Sequence, residues 1–343
     1  MRIDRRTLLG GMAAMLAAPL PGFAASLTDS TGRAITVPDR VQRVYPAGPP
    51  AAVEIYTLAP DLLIGWLESI PPEALAFLLP EIAARPEIPR LTGRGDSKIN
   101  LDALKSFKPE VIVDIGDVNE SYKALAERVQ RESGVPYVLI DGHLDKVAAS
   151  YRTLGQLFGR AEDAEKLARI ADETVAAITS RVASIPGDAR PRVYYARDHT
   201  GLVTAQAGSM VTEPIAFLGA RNVAGDKRGG QMVTTIAQIA EWNPEIIIAS
   251  NAEFLAAVRS DPAWGQIAAV KNGRVHLAPR QPFGWVDHPP AVNRLIGLWW
   301  LGKIFYPAHF PEDIKTKARE FYTAFYHVTP TQAQIDGLFA GGA

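Results

Sequence analysis

Apolar and polar positions along the chain follow two rhythms. Short runs of β-branched residues, such as Val111-Ile112-Val113 and Ile246-Ile247-Ile248, have the length and composition of strands buried on both faces. Between such runs lie stretches whose apolar residues recur every three or four positions, the spacing of a helix with one buried face. One unit of this kind occurs twice. Residues 101–114, Leu-Asp-Ala-Leu-Lys-Ser-Phe-Lys-Pro-Glu-Val-Ile-Val-Asp, match residues 236–249, Ile-Ala-Gln-Ile-Ala-Glu-Trp-Asn-Pro-Glu-Ile-Ile-Ile-Ala. Phe107 pairs with Trp242, Pro109 with Pro244 and Glu110 with Glu245. Each copy reads as a short amphipathic helix stopped ahead of proline, followed by a buried strand. Each half opens on a similar strand, at 42–45 and 191–194, and adds another after the repeat, at 136–140 and 274–277. Strands alternating with helices make parallel sheets covered by helices, and the duplication makes two of them.

Residues 145–185 separate the halves and are mostly helical in pattern. From Glu162 onward Leu167, Ala171, Val175, Ile178, Val182 and Ile185 recur at helical spacing, with Gly159 breaking the pattern upstream and Pro186-Gly187 ending it. A helix over 162–185 spans roughly 36 Å at 1.5 Å per residue. Such a stiff rod would hold two lobes at a nearly fixed distance with a cleft between them. The fold class is therefore α/β: two Rossmann-like lobes with parallel sheets joined by one long α-helix. The boundaries are an N-terminal lobe at 26–143, a linking helical segment at 144–187, and a C-terminal lobe with C-terminal helices at 188–343.

Residues 1–25 stand outside this plan. Arg5-Arg6 precede an uncharged run over 10–20, and small residues follow at Gly22 and Ala24, the layout of a twin-arginine-type signal peptide cut near Ala24 or Ala25. The run is shorter than the ~20 apolar residues a spanning helix needs. No later run is long enough either, so stable membrane insertion is not expected.

Composition narrows the function. Over 343 residues, 36 Lys and Arg balance 37 Asp and Glu, without the basic stripe that nucleic acid requires. With no cysteine, disulfides, Cys-ligated zinc, iron–sulfur clusters and thiol catalysis are excluded, as is a lipid anchor at the cleavage site. No G-x-S-x-G elbow, P-loop or CxxC occurs. Gly93-Arg94-Gly95-Asp96 lacks the third glycine of a dinucleotide turn, and Asp198, His199 and Ser209 form a triad only on paper. The expectation is a protein without enzymatic activity.

The blocks Asn100-Leu101-Asp102-Ala103-Leu104, Lys108-Pro109-Glu110-Val111-Ile112-Val113 and Gly134-Val135-Pro136-Tyr137-Val138 carry a resemblance. It continues through Gly219-Ala220-Arg221-Asn222-Val223-Ala224, Asn243-Pro244-Glu245-Ile246, Asp261-Pro262-Ala263-Trp264 and Lys271-Asn272-Gly273-Arg274-Val275. In this order, behind an export signal, they resemble the substrate-binding proteins of ABC importers, in the class III group whose lobes are linked by one helix. That group binds ferric siderophores, haem, cobalamin and some metals or oxyanions. The resemblance implies a periplasmic monomer with no intrinsic cofactor, serving an importer permease and its ATPase. The ligand it implies is a chelated metal, first of all an iron chelate of the ferric siderophore type. Haem, cobalamin, a nickel complex and molybdate or tungstate stay open, as does a sensor reusing the fold. It also implies permease docking through an acidic residue on each lobe. Asp102 holds that position in the first lobe; Ala237 holds it in the second, where Glu241 one turn later takes its place.

Ligands of open α/β sheets bind beyond the carboxyl ends of the strands. The corresponding loops carry Arg94, Arg197, His199, Lys227, Arg228 and Arg280, with Tyr195, Phe283 and Trp285 beside them. Arginine forks suit carboxylate, catecholate or oxyanion groups, and aromatic faces suit a flat or apolar chelate. The expected ligand-binding set is Arg94, Tyr195, Arg197, His199, Arg228, Arg280, Phe283, Trp285 and His288. Of the six histidines, His143, His199 and His288 fall in loops near the cleft. Direct metal contact is open for His199 or His288, while His276 reads as core and His309 and His327 as packing or surface residues. A Trp-Val-Asp-His run at 285–288 equally fits a structural loop pinned by Pro289-Pro290.

Overall fold

The computed structural model describes residues 25–92, 99–225 and 230–340. The signal segment with Arg5 and Arg6, and the loop residues Arg94, Lys227 and Arg228, lie outside the described residues.

The first lobe begins with a hairpin of β1 (Ala25–Thr28) and β2 (Ala34–Val37). The hairpin is tied to the sheet edge where Ser30 N–H donates to Leu139 O and Arg33 to Tyr137 O. The strands β3 (Val44–Pro46), β4 (Val111–Gly116) and β5 (Tyr137–Asp141) form a parallel sheet in the order β3-β4-β5. Around it lie α1 (Pro49–Leu58), α2 (Pro80–Ala83), α3 (Leu101–Ser106) and α4 (Glu120–Ser133). The helices α5 (Val147–Phe158) and α6 (Ala161–Ala183) follow. The second lobe contains β6 (Arg192–Ala196), β7 (Val203–Ala205), α7 (Glu213–Phe217), β8 (Arg221–Asn222) and β9 (Gln231–Val233). It continues with α8 (Ile236–Trp242), β10 (Ile246–Ala249), α9 (Ala252–Val258), α10 (Ala268–Lys271) and β11 (Val275–Leu277). Its main sheet is parallel in the order β11-β10-β6-β8. Three helices end the chain: α11 (Arg294–Phe305), α12 (Ile314–Phe325) and α13 (Gln332–Gly337).

The repeat has a structural meaning at each position. Asn100 and Thr235 cap α3 and α8 by accepting from Ala103 N–H and Gln238 N–H. Lys108 and Asn243, the residues before the paired prolines, leave the helix at positive φ, 47° and 42°. Glu110 accepts the N–H groups of Gln42 and Arg43 at 2.6 and 3.1 Å, and Glu245 accepts that of Arg192 at 2.7 Å. The duplicated Pro-Glu therefore pins the start of the neighbouring strand in each lobe.

Side-chain alternation divides each sheet between two cores. Val111, Val113, Ile115, Val193, Tyr195, Ile246 and Ile248 face one apolar core that runs through both lobes. Ile112 and Tyr137 face a separate cluster in the first lobe, and Tyr194, Ile247 and Ala249 one in the second. The long helix α6 is present but is no free-standing rod: it packs along α5 and touches α1 and α11. The C-terminal helices, grouped with the second lobe by chain order, reach back to the first. Tyr56 of α1 donates its hydroxyl to Tyr326 O at 2.9 Å, and Phe77 lies against Tyr322 with ring centroids 5.2 Å apart.

Candidate functional site

The carboxyl ends of both sheets open into one cleft of about 1080 Å³. The first lobe supplies Gly48 and the start of α1, the end of β4 from Asp114 to Gly116 with Asp117 after it, and Trp66, Glu68, Glu73, Arg90, Thr92 and Tyr122. The second supplies Arg197, Ser209 to Val211, Asn251 and the 277–290 loop.

On the first wall, Ala47 N–H donates to Val113 O, and Ala47 O accepts from Leu91 and Thr92, which brings Thr92 beside Asp114. Gly48 is required here because a Cβ would lie 2.6 Å from Thr92 Oγ1. Asp114 is nearly inaccessible and accepts from Tyr137 Oη at 2.9 Å and Thr92 Oγ1 at 3.3 Å. Burial pushes its carboxyl up to about 6 against those two hydrogen bonds. Arg90 is paired with Glu68 at 3.2 Å.

On the second wall, Arg197 directs Nε (2.8 Å) and Nη2 at one oxygen of Asp287, and both side chains are buried. Arg197 O is held by Ser250 Oγ at 2.7 Å, while Ser250 O accepts Arg280 Nη1 at 2.8 Å. Arg280 itself is exposed to the cleft. His288 stands with Nε2 3.6 Å from Asp287 Oδ2, and burial moves its pKa down. Phe283 lies against Trp66, ring centroids 5.7 Å apart, so the apolar floor is made by both lobes.

The expected set thus divides. Arg197, Arg280, Phe283 and His288 line the cleft together. Tyr195 does not: on β6 its parity points it into the shared core, where it is fully buried. Trp285 is also off the cleft wall, 1% exposed, with Nε1 3.1 Å from Tyr322 Oη and its ring edge-on to Phe339. His199 sits on an exposed turn outside the cleft lining. Asp102 and Glu241 are exposed on α3 and α8, the latter accepting from Gln238 Nε2 at 2.9 Å. His276 is half-buried in β11, and His143 pairs with Asp141 at 2.6 Å. Among the described residues no group of three or more His and carboxylate side chains is arranged to hold a metal ion. Trp66, Asp114 and Tyr122 join the lining from outside the expected set. Of these only Asp114 carries a signal in the sequence, a carboxylate inside an otherwise apolar buried strand.

A family model for periplasmic binding proteins matches residues 85–282, more than half of the chain. The chain is a periplasmic binding protein. Proteins of this family capture a small ligand for an ABC importer's permease and ATPase and are not enzymes, which places the function in the periplasm. This binding protein is 28% identical to an ABC transporter solute binding protein from Sulfurospirillum deleyianum. That match has a TM-score of 0.83 and covers 92% of this chain and 99% of the other. It is 23% identical over 325 residues to the molybdate-binding protein MolA of Haemophilus influenzae, covering 88% of this chain and 91% of MolA. The CeuE protein of Helicobacter pylori in a Ni-His complex shares the fold, with a TM-score of 0.68, 16% identity, and 92% and 99% coverage. Among the described residues no helix is long and apolar enough to cross a membrane.

Proposed function

We propose that this binding protein carries a chelated metal of the ferric siderophore type in the inter-lobe cleft. The observation that supports this most directly is the size of the cleft with its mixed lining. About 1080 Å³ matches ligands of several hundred daltons, far larger than a four-oxygen anion. The helix ends that face it are poor in free backbone donors. Pro49 and Pro50 begin α1 without N–H groups, and Asn251 takes up the N–H groups of Glu253 and Phe254 at the start of α9. A small oxyanion held by an N-terminal amide cradle finds few donors there. Arg280 and His288 instead offer side-chain donors to anionic groups, with Arg197 held behind them on Asp287, and Phe283, backed by Trp66, offers an apolar face. Residues 1–25 supply twin-arginine export, and the exposed Asp102 and Glu241 supply the docking contacts with the permease.

A second reading, molybdate as ligand, is favoured by the relationship to MolA over most of the chain. One experiment separates the two. Protein isolated from its own periplasm is analysed for metal by native mass spectrometry, then titrated by tryptophan quenching with ferric trihydroxamate and tris-catecholate complexes and with molybdate. Saturable quenching by a ferric chelate and not by molybdate is the expected result. Saturation by molybdate alone replaces the first reading with the second.

A further inference from the structure

Where the two lobes meet beneath the cleft, a fully buried arginine divides its hydrogen bonds between them. Arg294 opens α11 and is 0% exposed. Its Nε donates to Ala291 O at 3.1 Å, and Nη1 donates to Met210 O at 3.4 Å and to the Glu213 carboxylate at the start of α7. All three partners belong to the second lobe. Nη2 donates across the seam to Gly142 O, directly after β5 of the first lobe. Glu213 crosses the seam in return, its Oε1 accepting from Leu144 N–H at 3.1 Å. Gly142 permits this approach: a Cβ there would lie 2.9 Å from Met210 Cε and 3.0 Å from Gly116 N. Met210 and its neighbours Ser209 and Val211 line the cleft, so the seam and the ligand chamber share a wall.

We infer that Arg294 is a positioning residue, and that its pair with Glu213 sets the angle between the lobes and hence the width of the cleft. A buried ion pair is a weak source of stability, since apolar residues of similar volume often replace it without loss. What it supplies is direction. Apolar surfaces tolerate sliding, whereas rotation of one lobe against the other strands a guanidinium and a carboxylate without partners inside the core. This role goes beyond the proposed ligand and holds for any occupant of the cleft.

The chain has no cysteine, so Glu127→Cys on α4 and Ala256→Cys on α9, both exposed, place one spin label on each lobe. The ligand-free parent is expected to give a single narrow distance. The Arg294→Met, Glu213→Leu pair should give a distribution about twofold broader, with Tm within about 5 °C of the parent. Its affinity for the ferric trihydroxamate probe should fall about tenfold. An unbroadened distance in the ligand-free variant overturns the positioning role whatever the probe does. If that variant does not fold, Glu213→Gln, which keeps an acceptor for Leu144 but removes the charge, is measured in its place: broadening supports the role and an unchanged distance overturns it. A parent that binds no ferric probe counts against the proposed ligand, and the distances alone then decide the role of Arg294.

Discussion

Glu54 shows how much chemistry a single position in this fold can hide. It sits within a buried helix, α1, and receives Ser150 Oγ at 2.6 Å on Oε2. Among the described residues its Oε1 has no hydrogen-bond partner. Burial pushes its carboxyl from the ordinary 4.5 up to about 7, against the pull of the Ser150 hydrogen bond and the Arg294 charge. The folded state therefore holds this proton more tightly than the unfolded chain. Its contribution to stability is complete below pH 4.5, is lost as the pH rises to about 7, and is level above that. Replacing it by Gln removes the buried charge and keeps an acceptor for Ser150. Glu54→Gln is expected to raise stability at pH 8 by up to about 3 kcal/mol and to change little at pH 4. Urea unfolding at the two pH values checks this; an equal effect at both would contradict the assignment.

At the scale of elements, the 277–290 loop does two jobs with neighbouring residues. Trp285 points back into the core formed by Tyr322 and Phe339, while Arg280, Phe283 and His288 face the cleft. Substitutions should separate these roles. Trp285→Ala is expected to cost about 3–5 kcal/mol of stability through the cavity it leaves. Arg280→Ala should leave the melting temperature unchanged and weaken ligand binding about tenfold. Thermal melts and quenching titrations on the same two variants decide the matter, and a Trp285→Ala protein of normal stability would refute its burial. The sequence could not divide this loop. Trp285 lies close to a cleft-facing histidine in the chain, and its inward orientation depends on Tyr322, contributed by a helix 37 residues further on. The repeated helix–strand unit, by contrast, was legible because cap, proline and β-branched run act within a short stretch of consecutive residues.

For the whole molecule, the common core matters more than the linking helix. The apolar cluster that includes Val113 and Ile55 of the first lobe also includes Val193 and Ile248 of the second and Tyr322 and Phe325 of α12. Two lobes that share one core are expected to unfold together. Scanning calorimetry should show a single transition whose calorimetric and van't Hoff enthalpies agree. Two resolved peaks would mean that each lobe folds alone.

The α/β class, the duplication and the long helix followed from the chain alone, because periodicity, caps and breakers are local properties of neighbouring residues. Strand parity at Tyr194 and Tyr195 was equally local, yet which of the two cores each side chain entered was decided by packing. Only tertiary structure brought Trp66 to Phe283, paired Arg197 with Asp287 across 90 residues, and folded the C-terminal helices back onto the first lobe. Those contacts join segments far apart in the chain, and their energies come from burial and charge pairing that no short window of sequence contains.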